Sequence, residues 1–157
     1  MSGPLQEQVS LLSGSDANGL AKFLAVDSSG RLLVALATGI GALTKEMQWR
    51  VDGNLGTGAR LLRLYNLTGV TLTFQKVHLA LNTAPATQAV ICDVHKNGTT
   101  IFTTQANRPQ VAAGANTGLS VTFNVSSLAD GEYLTLEIDQ VGTGTAGADL
   151  VATVVCG

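Results

Sequence analysis

The chain has 157 residues, of which 45% are hydrophobic and 13% charged, with a formal net charge of −2. Its length suits one domain with a short extension, and its apolar content excludes an intrinsically disordered chain. The weak acidic balance gives no field for phosphates and no basic segment for a membrane surface, so neither nucleic acid nor membrane is expected as a partner.

So low a charge fraction points to a surface covered by neighbours in an assembly, or to Thr and Asn carrying the polarity. The opening MSGPLQEQVSLLSG has no basic region followed by an apolar core. No secretory signal is read there, and a cytoplasmic product is expected. Residues 1–45 are rich in Gly, Ser, Ala and Leu. Two apolar runs, Leu20–Val26 and Arg31–Leu36, flank Asp27-Ser-Ser-Gly30, which predicts a hairpin. A lone hairpin is marginal in water and needs a partner. Thr38–Lys45 reads as a linker.

From Glu46 onward the period is two. Trp49 and Val51 share a face with Arg50 between them, and Ala59–Thr68 forms the next strand, with Leu62 and Leu64 on one face. Val70, Leu72 and Phe74 alternate with threonines. The apolar set then moves to Val77, Leu79 and Leu81, which predicts a bulge or break near Gln75-Lys76. Val90, Cys92 and Val94 share a face. Asn97-Gly98 predicts a type I′ turn, since both residue types tolerate positive φ, and Thr100–Thr104 returns with Ile101 and Thr103 on one side.

Pro109 marks Asn107–Asn116 as a loop. Leu119, Val121, Phe123 and Val125 read as one half-buried strand. Ala129-Asp-Gly131 turns the chain into a strand carrying Leu134, Leu136 and Ile138. Gly142–Gly147 turns it again, and Leu150–Cys156 closes it. About eight short strands predict an all-β, antiparallel β-sandwich of jelly-roll type over 46–157, with residues 1–45 as an arm or hairpin extension.

No enzyme chemistry is legible. His78 and His95, the only histidines, lack the His-x-His spacing of a jelly-roll metal centre, so no metal is expected. His95 is expected in solvent beside the Asn-Gly turn, and His78 away from the core. No Gly-x-Ser-x-Gly, Walker loop or dinucleotide fingerprint occurs, so no catalytic residue and no cofactor are assigned. Glu137 and Asp139 are two apart on one strand face and read as an ordinary polar outer face. Asp93 and Asp130 are placed at or near turns. Cys92 reads as a buried small hydrophobe; the sequence leaves a Cys92–Cys156 disulfide open, and a cytoplasmic product argues for two thiols. Trp49, Tyr65 and Tyr133 are the polar-edged aromatics a sugar could stack on; Trp49 reads first as a packing anchor between arm and sandwich.

The words Asp93-Val-His-Lys-Asn-Gly-Thr-Thr-Ile-Phe102, Gln105-Ala-Asn-Arg-Pro109, Leu128-Ala-Asp-Gly-Glu-Tyr-Leu134, Asp139-Gln-Val-Gly142 and Ala146-Gly-Ala-Asp-Leu150 resemble a jelly-roll module of tailed-bacteriophage virion proteins. The similarity runs from about Val77 to the C-terminus. Val26-Asp-Ser-Ser-Gly-Arg-Leu32 is similar to short segments near the start of other phage structural proteins. The resemblance implies a particle component: a capsid decoration (cement) protein on the virion surface, made in the host bacterial cytoplasm. The implied partners are the major capsid protein and further copies in a homotrimer. The contact set expected from the arm and its junction is Leu11, Leu12, Leu20, Phe23, Val26, Leu32, Leu33 and Trp49. The alternatives are a tail- or fibre-associated or vertex-spike module that binds a host-surface glycan, and a tail-tube or connector subunit.

Overall fold

The computed structural model describes residues 44–157 and, within 1–43, four short strands: β1 (Gly14–Ser15), β2 (Ala21–Lys22), β3 (Ala25–Val26) and β4 (Leu32–Leu33). Residues 1–42 and 43–157 form separate compact units. In the first unit β1 pairs with β2, and β3 pairs with β4 antiparallel through Ala25↔Leu33 and Val26↔Leu32. The pairing around Asp27–Gly30 is the one the apolar runs predict.

The second unit contains β5 (Lys45–Asn54), β6 (Gly58–Tyr65), β7 (Leu72–Thr83), β8 (Val90–Lys96), β9 (Thr99–Thr100), β10 (Gln110–Val111), β11 (Thr117–Ser120), β12 (Ser127–Leu128), β13 (Tyr133–Gln140) and β14 (Ala148–Cys156). One sheet has the order β11-β7-β14-β5, with β12 also on β7. The other has the order β10-β8-β13-β6, with β9 also on β8. Every pairing is antiparallel. Along the path β5, β6, β7, β8, β10, β11, β13, β14 the chain changes sheet at every step except β8 to β10, and β5 and β14, the first and last, are neighbours. That wrapped order is the double-sheet jelly roll.

The alternation in the sequence decides which side chains meet between the sheets. Leu79, Val77, Leu150 and Val154 face Val90, Cys92, Val94, Leu134 and Leu136, all fully buried. Trp49 lies in the same core at 2% exposure, and its Nε1–H donates to the carbonyl of Leu62 in the opposite sheet at 3.0 Å. The tryptophan expected to join arm and sandwich is therefore a core residue of the sandwich. Its indole is consumed by packing and by one cross-sheet hydrogen bond.

The phase change in β7 is a bulge. Val155 pairs with Lys76 but Cys156 pairs with Phe74, so Gln75 is the extra residue. The chain stays in one strand while its inward set moves from even to odd numbers. Asn97 (φ 50°) and Gly98 (φ 85°) make the predicted hairpin turn.

Three sequence readings change. The return after that turn pairs only at Thr99–Thr100; Ile101 and Phe102 are both fully buried, and Thr103 is exposed. Leu119–Val125 is not one strand. β11 stops at Ser120, whose hydroxyl is turned inward and donates to the carbonyl of Asn107 at 2.5 Å, which leaves Leu119 and Val121 outside. Gly118 shares that inward phase, and a Cβ there would strike the backbone carbonyl of Gln110. Phe123 then re-enters against Phe74 and Phe102, with ring centroids 5.8 and 5.6 Å away. Finally, Asp93 stands in the middle of β8, not at a turn.

Candidate functional site

Two constructions stand out on the sandwich. The first is ionic and lies on the face of the β8–β13 pair opposite the core. Asp93 is buried to 1% exposure although its strand neighbours Cys92 and Val94 point into the sandwich. It is held by three groups. The Thr100 hydroxyl donates to its Oδ1 at 2.7 Å, Arg108 Nη2 lies 2.9 Å from its Oδ2, and His95 Nε2 lies 3.3 Å from the same oxygen. Arg108 also donates through Nη1 to Asp139 Oδ2 at 2.7 Å, so its planar fork spans two carboxylates. Glu137 faces Asp93 across the β8–β13 ladder and comes within 3.6 Å of His95 Nε2.

Burial pushes the Asp139 carboxyl above the ordinary carboxylate range, and Arg108 counters only part of that. His95 is thus half-buried between two acids rather than in solvent, and Glu137 and Asp139 belong to a network. The sequence hid this arrangement because Arg108 is far from Asp93 along the chain and arrives on a returning loop. Chemically the cluster is a clamp. The Thr100 hydroxyl donates to Asp93 and accepts the Phe102 N–H at 3.0 Å.

The second construction is apolar and displayed outward. Six large hydrophobic residues are exposed among the described residues, and four of them fall between positions 62 and 70: Leu62 (61%), Tyr65 (46%), Leu67 (80%) and Val70 (58%). β6 is an edge strand. It bulges where Leu64 pairs with Leu134 but Arg60 pairs with Leu136, so three residues of β6 stand against Thr135 alone. That bulge carries Leu62 outward.

The loop that follows is pinned by Asn66, itself 1% exposed. Its Nδ2 donates to the carbonyls of Val70 (2.8 Å) and Leu128 (2.9 Å), and its Oδ1 accepts from the N–H (3.1 Å) and hydroxyl (2.7 Å) of Thr68. Its own backbone exchanges bonds with Glu132 and Gly131, and Asp130 Oδ1 accepts the N–H of Gly69 at 2.8 Å. Every polar atom of a buried Asn is thereby satisfied. The loop is built, and it presents Leu67 and Val70 to the outside.

Beside it, Tyr65 and Tyr133 are paired across β6–β13 with ring centroids 5.4 Å apart, and Arg63 lies 4.6 Å over the Tyr133 ring. These are two of the three aromatics singled out for sugar stacking. The third, Trp49, is in the core. An open depression on the outer face of the other sheet is lined by Arg50, Asn82 and Asp149 and by no aromatic ring. Among the described residues no group of His, Cys, Asp and Glu is placed to hold a metal ion.

Of the contact residues expected from the sequence, Leu11, Leu12, Leu20 and Phe23 lie outside the described residues. Val26, Leu32 and Leu33 are in β3 and β4, where the backbone pairing brings Val26 opposite Leu32; their side chains lie outside the description. The sequence reading put Leu62 and Val70 in apolar strand faces and did not single out Leu67 or Asn66. A signal for the loop exists: the run Leu64–Gln75 contains no charged residue. No protein-family model matches the chain, and no curated protein does.

Proposed function

We propose that the chain is a structural component of a bacteriophage particle, a decoration protein that binds the assembled head and reinforces it. The observation that carries this reading is the display loop: a polar network holds Leu67 and Val70 outward on a solid jelly roll. An exposed apolar patch on a weakly charged protein is a contact surface in search of a partner. The phage-module phrases in Asp93–Leu150 supply the kind of assembly. In this reading the arm and the sandwich loops touch the major capsid protein and neighbouring copies in a homotrimer. A protein that binds only the assembled shell stabilises it according to its affinity and concentration.

Quantitative mass spectrometry of purified particles of the encoding phage tests the proposal. A ratio approaching one copy per major capsid subunit is expected; a few copies per hundred would overturn it and move the protein to the tail or a vertex. The Tyr65–Tyr133 pair favours a second reading, a low-copy module that stacks a host-surface sugar. That reading predicts host-specific cell binding which Tyr65→Ala abolishes.

A further inference from the structure

We infer that the outer edge of β5 pairs with the same edge of a second copy of this chain. The two β5 strands run antiparallel about Gln48, and Glu46 of each copy lies opposite Arg50 of the other. The inference goes beyond the particle reading and does not depend on it.

The strand is shaped for such pairing. Among the described residues β5 pairs with β14 alone, so the other side of its backbone faces no strand. Prolines and bulges are what commonly blunt an edge. Lys45–Val51 contains no proline and keeps unbroken register with Leu150–Cys156; the irregularity in that ladder comes only after Val51. The midpoint of this regular stretch is Gln48.

The charges select both the occupant and the register. Glu46, Gln48 and Arg50 are exposed on the outer face, whereas Trp49 between them is buried in the core. Two copies that form one continuous sheet bring outer-face residues opposite outer-face residues, so the axis falls on a residue and not between two. Opposite charges directly across a strand pair attract, and like charges repel. An axis on Gln48 sets Glu46 against Arg50 twice. An axis on Glu46 or on Arg50 sets that residue against its own copy, and an axis on Trp49 sets Glu46 against Asp52. An axis on Met47 leaves Glu46 opposite Gln48. Arg50 also engages Asp52 of its own strand at 2.7 Å, but both side chains are 74% exposed. That contact is weak in water, and the guanidinium fork has donors left for a second carboxylate.

A further observation lies beneath the same axis. The Trp49 Nε1–H reaches the carbonyl of Leu62 at 3.0 Å, which sets Leu62 against the middle of β5. β6 is an edge of the other sheet, and Leu62 is exposed there. In the pair the two Leu62 side chains meet below the Gln48 rung and leave water together. The contact is isologous, so it joins copies in twos, and on a homotrimer it links one trimer to the next.

Sedimentation equilibrium of the full-length protein tests this with two charge reversals, Glu46→Arg and Arg50→Glu. Both positions are exposed, so unchanged melting curves establish that the variants fold. Each reversal alone sets like charges opposite one another twice, and the dissociation constant is expected to rise about 10-fold or more. Mixed in equal amounts, the two variants are expected to pair with each other at native strength. The introduced arginine then faces the introduced glutamate, and the two native residues face each other. In parallel, Gln48→Cys copies are expected to link to one another on mild oxidation and Asp52→Cys copies are not, since only residue 48 lies opposite itself. Cys92 and Cys156 are buried and do not compete.

A native protein that stays monomeric, or that forms a trimer and associates no further, would overturn the inference. So would association indifferent to either reversal, variants that do not rescue each other when mixed, or a Gln48→Cys protein that forms no bridge.

Discussion

The segment 101–109 and the loop 66–71 are both irregular, and both are fixed by a buried polar side chain, yet they treat their hydrophobic residues in opposite ways. In the first, Ile101 and Phe102 are fully buried, and the Asp93–Arg108–Asp139 clamp fastens the segment to the sheet. In the second, Asn66 fastens the loop while Leu67 and Val70 stay outside. The same fold thus contains a loop built to complete its own core and a loop built to leave apolar surface available. The exposure at Leu67 is therefore not slack packing.

Substitutions break this comparison in a graded way. The largest effect is expected at Arg108. Arg108→Ala leaves Asp93 charged, buried and without its guanidinium, which costs about 3–5 kcal/mol of unfolding free energy in a urea titration. Asn66→Ala strands the Val70 and Leu128 carbonyls and releases the display loop, at a cost of about 2–3 kcal/mol by the same titration. Gly118→Ala pushes a methyl group into the Gln110 carbonyl and is expected to cost about 1–3 kcal/mol, with the loss of slow amide exchange confined to β10 and β11. Leu67→Ala should change the stability of the isolated chain by less than about 0.5 kcal/mol, because the side chain touches little within its own molecule.

The smallest effect is a pH dependence of opposite sign in the two regions. Asp139 has its folded pKa raised by burial. The stability it contributes is full below its unfolded pKa and is lost as pH rises through the folded value. The stability difference between the native chain and Asp139→Asn should accordingly move in favour of the variant as pH climbs just above the ordinary carboxylate range. Glu132, next to the display loop, is held below the ordinary value by the Lys96 ammonium and by the Ala129 N–H. Its contribution is present above the unfolded pKa and fades as pH falls, and Glu132→Gln should abolish that acid-side loss. Paired melting curves from acid to neutral pH read both.

Strand β13 and the stretch 119–125 show what sequence pattern can and cannot disclose. Both alternate apolar and polar residues. In β13 the alternation points Leu134, Leu136 and Ile138 into the core, because β8 and β6 flank the strand and hold its register. In 119–125 it fails: β11 is a sheet edge, and Gly118 and Ser120 take the inward positions beneath β10. Alternation gives two faces and does not say which one is covered. The bulge at Gln75 was legible because it shifts the apolar phase inside a single run. The Asp93–Arg108 clamp was not, because an ion pair across a returning loop leaves no periodic trace. Leu67 and Val70 resembled core residues by type, and only the structure shows Asn66 turning them outward.

The pairing of Lys45 with Cys156 has one more consequence. The chain enters and leaves the sandwich at one and the same rung of the β5–β14 ladder. Such a unit can be spliced into a loop of another protein, or have its ends joined and a new opening cut at the Asn97-Gly98 turn, without threading or stretching the host. For an engineer it is a plug-in tile, and cargo attached after Gly157 would emerge beside the residue where the arm begins.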